Sequence, residues 1–155
     1  MPPEPMLDVL LLGAPHGKGA GRAVSFGGRT RVVTPSKTRH WMVGAALMFG
    51  DAWPFAPLDR PVALHIEAVM PRPKRLLRKK DPPGRLWCPT KPDWDNIGKA
   101  VGDALTAAGV LRDDVLVVDA QVRTLYAARD EGPSVRVLLF DVGEAPAPIE
   151  ALCHG

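Results

Sequence analysis

A stripe of apolar residues at helical spacing, Ile97, Ala100, Val101, Ala104, Leu105 and Ala108, is the strongest constraint on what this chain can fold into. It specifies an amphipathic helix with one face in a core, and Gly109 supplies the residue type that commonly ends one. At about 100° per residue, Asp95, Lys99, Gly102, Asp103 and Thr106 fall together on the opposite, polar side. Gly98 and Gly102 weaken the helix intrinsically while leaving room for a backbone or ligand to come close.

The other elements arrange themselves around this helix. Residues 6–12 read as an apolar first strand. Residues 61–70 alternate Val62, Leu64, Ile66 and Ala68 against Ala63, His65 and Glu67, the period of a half-buried strand. Thr34 followed by Pro35 is a helix-start signal, and Met42, Ala45, Ala46 and Phe49 then recur as a buried helical face, with Gly50 as the expected stop. Residues 116–126 and 134–141 read as two β-rich runs joined by Arg129 to Pro133 as in a hairpin. These elements predict an α+β (α/β) fold: one small domain over residues 1–142, a mixed β-sheet carrying two main helices, with a flexible tail at 143–155. No internal repeat is evident.

A chain of 155 residues, 46% of them hydrophobic, suits one globular core. No run approaches the roughly 18–20 apolar residues that span a bilayer, and the apolar residues 9–12 lack a preceding basic segment. Two cysteines, Cys88 and Cys153, show no paired zinc spacing and suggest a reducing compartment. A cytoplasmic location is the expectation.

Net charge is only +3, so its distribution matters more than its size. Arg72, Lys74, Arg75, Arg78, Lys79, Lys80, Arg85 and Lys91 crowd one Pro-rich stretch against the single acid Asp81. That is the electrostatic footprint of a phosphate-binding segment; a solvated loop guarding a sheet edge is the alternative. The stretch 13–31, with Gly17, Lys18, Gly19, Gly21 and Arg22, lacks the order of a P-loop. It reads as an exposed turn, or as an arm or hairpin that touches DNA.

Chemistry concentrates around the central helix, where Lys91-Pro92-Asp93-Trp94-Asp95-Asn96 leads in and Arg112-Asp113-Asp114 follows. In an extended segment Asp93 and Asp95 would point to one side and offer oxygen ligands to a hard cation. Asp114, brought back by the turn after the helix, would make a third carboxylate. Lys99, one turn beyond Asp95, could meet a phosphate, or form only an ordinary surface ion pair. Asp95 could equally be the helix N-cap, and Asp113 and Asp114 could be turn residues. His65 reads as a sheet-face residue, and the tryptophans Trp41, Trp87 and Trp94 read as packing groups before base-stacking ones.

The string Lys91-Pro92-Asp93-Trp94-Asp95-Asn96, with Lys99, Asp103-Ala104-Leu105, Gly109, Asp113-Asp114 and Val118, resembles the central motif of the RusA family of Holliday-junction resolvases. Gly17-Lys18-Gly19 with Arg22 and residues 34–38 are similar to the N-terminal pattern of phage and prophage members. The resemblance implies a homodimeric α/β fold that binds four-way DNA junctions and nicks two strands symmetrically with Mg²⁺ or Mn²⁺. It carries the catalytic aspartates onto Asp93, Asp95 and Asp114 and the catalytic lysine onto Lys99. Asn96, Asp103 and Asp113 fall at supporting positions, and Asp119 is a fourth acidic candidate.

On this reading Lys74, Arg75, Arg78, Lys79, Lys80, Arg85, Lys91, Lys18 and Arg22 hold DNA. The chain departs from the family pattern at Gly98 and Gly102, where larger residues are expected, and in its longer basic loop, which bears on substrate preference and dimer packing. Two other readings stand beside it: a nuclease of forks, flaps or single strands, and a noncatalytic DNA-binding module whose acids only cap the helix or hold a structural cation.

Overall fold

The computed structural model describes residues 3–17, 22–33 and 36–149. In chain order the elements are β1 (Leu7–Leu12), β2 (Arg22–Phe26), β3 (Arg29–Val33), α1 (Ser36–Ala52), β4 (Val62–Met70), β5 (Leu86–Trp87), α2 (Trp94–Ala107), β6 (Val117–Tyr126) and β7 (Ser134–Asp141). Short 3-10 turns lie at Lys74–Leu76 and Asp114–Leu116. Five strands form one mixed sheet in the order β1-β7-β4-β6-β5, and β2 and β3 form a separate ribbon. The expected α+β architecture, with a mixed sheet and two main helices, is what the chain adopts.

β4 is the axis of the sheet. It pairs antiparallel with β7 along one edge and parallel with β6 along the other, and its residues are buried almost without interruption, as a strand flanked on both sides requires. A parallel partner cannot be reached by a tight turn. The chain therefore leaves β4, traverses residues 71–93, runs back through α2 and enters β6. This crossover lays α2 against the sheet face that carries Leu64, Ile66, Val137 and Leu139, where α1 also packs.

The expected hairpin between the last two strands is not formed: β4 lies between β6 and β7. The reason is visible in their faces. β7 buries Val135, Val137 and Leu139 completely and needs neighbours on both edges, whereas β6 is largely exposed and suits a place near the rim. His65 is on the outer face, its ring centroid 4.9 Å from that of Phe140, in keeping with a sheet-face role.

The helix ends follow local chemistry. α2 closes on Gly109 at φ +75, with the Gly109 amide donating to Thr106 O (3.1 Å) and the Val110 amide to Leu105 O (3.0 Å), the paired bonds of a Schellman cap. α1 runs past the expected stop at Gly50 to Ala52; a Cβ on Gly50 would sit 3.6 Å from Ala108 O, so this glycine marks where the two helices pass closely. Thr34 and Pro35 lie outside the described residues. The ribbon β2–β3 turns at Gly27 and Gly28, both at positive φ, the two-residue hairpin turn that glycines permit. Residues 142–149 form no helix or strand. No helix among the described residues is long and apolar enough to cross a membrane.

Because β7 is interior, truncating Leu139 (0% exposed) to Ala should cost about 2–5 kcal/mol in denaturant unfolding. The same change at Leu12, 84% exposed on the sheet edge, should stay within about 0.5 kcal/mol.

Candidate active site

α2 begins at Trp94. Asp93 is its N-cap residue, extended at φ −69 and ψ 153; its carbonyl accepts the Ile97 amide at 3.1 Å, and its carboxylate makes no capping bond. Asp95 is thus in the first helical turn. That corrects both the expected extended Asp93–Asp95 pair and the alternative of Asp95 as N-cap. The helix reaches back to Trp94 because that residue turns outward and does not need a place in the core. The Asp93 side chain is left for other work, while both acids sit where the helix dipole favours negative charge.

Lys99 follows one turn later on the same flank, its Nζ 3.8 Å from Asp95 Oδ2, with both side chains reaching solvent. This flank faces β6: a Cβ on Gly98 would lie 3.9 Å from Val122 Cγ2, and one on Gly102 would lie 3.5 Å from Asp114 Cβ and 3.9 Å from its Oδ2. Asp114 therefore lies against the flank of α2 at Gly102, where a Cβ would meet it at ordinary contact distance. Asp113 caps the turn that carries Asp114, its Oδ1 accepting the Val115 amide at 3.0 Å. That amide holds the Asp113 carboxyl below the ordinary aspartate range, and the Asp114 side chain acts in the same direction.

The acids share a flank but do not enclose a point. Asp95 and Gly102 are two turns apart, about 10 Å along the axis. Among the described residues, no three His, Cys, Asp or Glu side chains gather closely enough to hold a metal ion. The donor set, carboxylates without thiolate or imidazole, suits a hard cation in kind, but the spacing is that of separate carboxylates. Asp119 does not join them: paired with Ala63, it lines the opposite face of the sheet with His65 and Phe140. Asp103 is half-buried on α2.

A cleft of about 510 Å³ opens beside the start of α2, lined among others by Cys88, Thr90, Lys91, Asp93, Asp95 and Thr124. Its wall is pinned: Thr124 Oγ1 donates to Cys88 O at 3.1 Å, and the Thr90 and Tyr126 hydroxyls are 3.0 Å apart. Sequence reasoning missed how the N-terminal segment closes the same region. Gly17 lies so near that a Cβ there would be 2.7 Å from Pro92 Cβ and 3.0 Å from Asn96 Cβ, and its carbonyl accepts the Thr38 hydroxyl at 3.4 Å. Its neighbours in sequence suggested an exposed turn, or an arm or hairpin that touches DNA. The signal was the glycine itself, in a stretch that forms no P-loop.

Two tryptophans also depart from expectation. Trp41 packs against the core, but Trp87 and Trp94 are 72% and 67% exposed. β5 is a rim strand, and Trp94 occupies the outward first position of α2, so neither ring is drawn into the interior.

The basic stretch is a built loop. Arg72 donates to Leu76 O, Gly84 O and Pro82 O at 2.8, 3.1 and 2.5 Å. Arg129 donates from outside the stretch to Leu77 O, Arg78 O and Asp81 O. Arg78 pairs with Asp81, and Arg85 is held between Glu67 (2.6 Å) and Glu131 (2.6 Å), which raises its pKa. Lys74, Arg75, Lys79, Lys80 and Lys91 remain exposed, with no ion-pair partner among the described residues. Lys18 lies outside the described residues, and Arg22 is placed only as the first residue of β2.

The sequence pattern described as Endodeoxyribonuclease RusA matches residues 13–138, a span that contains Gly17, the whole start of α2, Asp114 and the basic loop. The chain belongs to the RusA endodeoxyribonuclease family. A further relative is an uncharacterized protein, YqaN, of Bacillus subtilis (strain 168), 30% identical over 135 residues that cover 84% of this chain and 92% of that protein. RusA membership gives the chain a chemistry, the hydrolysis of a DNA phosphodiester, and a setting in Holliday-junction resolution and recombination.

Two outcomes follow from this geometry. Gly17→Ala must displace Pro92 or Asn96, and should lower the thermal midpoint by the equivalent of about 1–3 kcal/mol. Gly102→Ala meets Asp114 only at ordinary contact distance and should be neutral or stabilising by up to about 1 kcal/mol; calorimetry of the two variants checks both. The Arg85 guanidinium holds the Glu131 carboxyl below its ordinary value of 4.5, aided by the Ala128 amide and opposed by burial. A depressed carboxylate stabilises the fold above its unfolded pKa and stops doing so as pH falls through its folded one. Thermal stability should therefore decline on acidification below about pH 4.5, and less steeply in Glu131→Gln.

Proposed function

We propose that this chain is a divalent-metal-dependent, structure-selective endonuclease that resolves four-way DNA junctions by paired, symmetric nicks, working as a homodimer with one site per protomer. The observation that carries the proposal is the flank of α2. There Asp93 and Asp95 line a cleft together with Lys91, Lys99 follows one turn later beside Asp95, and Asp114 lies farther along the same helix against Gly102.

Asp93, Asp95 and Asp114 are the proposed ligands for Mg²⁺ or Mn²⁺. When bound, such an ion supplies charge neutralisation at the phosphate and a more acidic water. The chain's own residues do the rest. Lys99, exposed and one turn from Asp95, swings toward the scissile phosphate and opposes the charge that builds on its oxygens. Lys74, Arg75, Lys79, Lys80 and Lys91 hold flanking phosphates and carry no sequence information. Arg78 and Arg85, committed to carboxylates, mainly shape the loop. Asn96 and Asp103 support the start and middle of α2, and Asp113 holds the turn that presents Asp114.

The exposed rings of Trp87 and Trp94 favour a branched or partly unstacked substrate over continuous duplex, because each offers a face on which a splayed base can stack. Binding through phosphates should weaken steeply as salt rises.

The deciding assay is cleavage of a labelled mobile four-way junction, with fork, flap and linear duplex controls, in Mg²⁺ with and without chelator. Wild type should make symmetric nicks in the junction. Asp95→Asn and Lys99→Ala should lose about 10²-fold or more of the rate while unfolding within about 1 kcal/mol of wild type. Equal cutting of every substrate would overturn junction selectivity, and undiminished cutting by Asp95→Asn would overturn the site.

A further inference from the structure

The chain reaches Asp93 through a segment that the sheet does not hold by its backbone. β5 ends at Trp87, and its pairing with β6 extends one residue further: the Cys88 amide donates to Thr124 O at 3.1 Å, and Thr124 Oγ1 donates to Cys88 O at 3.1 Å. Pro89 and Pro92 then have no N–H to offer. Residues 89–92 form no main-chain hydrogen bond with another backbone group among the described residues, and the next such bond is the helical one from the Ile97 amide to Asp93 O. Asp93 thus stands between two anchors, Cys88 on the sheet and the first turn of α2.

One side chain bridges the gap. The Thr90 hydroxyl is 3.0 Å from that of Tyr126 and 3.3 Å from Cys88 Sγ. Tyr126 is the last residue of β6 and only 5% exposed, so packing fixes its ring and sets where its hydroxyl stands. A buried phenol also needs a hydrogen-bonding partner. Thr90 is itself exposed, and its β-branch limits the side chain to few rotamers. A contact between two stiff side chains carries the position of the sheet to the backbone of residue 90. The chain beyond is stiff as well, because Pro92 fixes its own φ and restricts Lys91 before it. Three residues span at most about 10 Å, so slack at Thr90 passes directly to Asp93. Asp95 is set by α2 instead, and the same slack would change the separation of the two acids.

We propose that Thr90 and Tyr126 are positioning residues: their hydroxyl pair sets the distance and angle between the Asp93 and Asp95 carboxylates, and through them the affinity of the cleft for a divalent cation. The proposal rests on the metal-dependent reading above and deepens it by naming what holds its first ligand in place. Neither side chain touches the cation or the DNA. Groups that orient a metal ligand from behind typically change affinity about 10–100-fold.

The test is calorimetric titration of the DNA-free protein with Mn²⁺, for wild type, Thr90→Val, Thr90→Ser, Tyr126→Phe, Thr90→Val/Tyr126→Phe and Asp93→Asn. Melts and the Mg²⁺ dependence of junction cleavage are recorded on the same samples. Thr90→Val and Tyr126→Phe should each raise the Mn²⁺ dissociation constant by about tenfold. The double variant should lie within about twofold of the weaker single one, since both changes remove one contact. Thr90→Ser keeps the hydroxyl and should stay within about threefold of wild type. The Mg²⁺ needed for half-maximal cleavage should rise with the Mn²⁺ constant, while the KM for the junction stays within about twofold because the cations that hold DNA are untouched. Melting temperatures should fall by about 2–4 °C at most.

A lowered melt with unchanged Mn²⁺ affinity is what a purely structural hydrogen bond would give, and it overturns the role. Additive losses in the double variant, or Thr90→Ser as weak as Thr90→Val, overturn it too. Asp93→Asn separates the two proposals. If it weakens Mn²⁺ binding while Thr90→Val and Tyr126→Phe do not, the metal site stands and the positioning role falls; if it leaves Mn²⁺ binding as in wild type, the metal reading falls and the positioning role with it.

Discussion

The parallel pairing of β4 with β6 is the constraint on which the rest of this structure depends. Strands running the same way cannot be joined by a turn, so the chain must travel from the end of one to the start of the other, and that journey contains nearly everything of chemical interest. The outward leg is the basic loop, the return leg is α2, and the last step into β6 is the short turn bearing Asp114. Two acids are fixed at the first end of α2 and a third arrives near its middle because one connection carries them all. The sheet gives α2 its direction, and the returning turn settles against it at Gly102.

Much of this was legible in the amino-acid order. The apolar stripe from Ile97 to Leu105 announced α2, Gly109 its end, alternation announced β4, and β-rich composition announced β6 and β7. What such patterns could not say is which strands are neighbours, because they report that a segment is extended and which face it turns inward, and nothing about edges. The assumption that consecutive strands pair failed at β6 and β7. Their unequal burial held the hint: three fully buried residues in β7 belong to an interior strand, and the polar run in β6 belongs nearer a rim.

The residues of the proposed site were read from the sequence, and their geometry was not legible there. Counting charge treated every arginine of the loop alike. Arg72 spends its guanidinium on three backbone carbonyls and Arg85 on two carboxylates, whereas Lys74, Lys79 and Lys91 face solvent. The planar five-donor fork of arginine suits it to organising a loop, and an ammonium group suits freer contact with phosphate. Composition records the sum of these roles and hides their division. Trp87 and Trp94 were misread for a related reason, since size argues for burial and only position on a rim strand or a helix start argues against it.

The two guanidinium clasps have a further consequence. Arg72 grips the loop from its own first residues, and Arg129 grips it from the segment after β6, so the loop's shape is fixed by contacts to main-chain oxygens that any sequence provides. Between those clasps the exposed side chains of Lys74, Arg75, Lys79 and Lys80 can be exchanged without dismantling the support. Selection can thus retune the charge the loop presents while the acid-bearing helix stays where the sheet has put it.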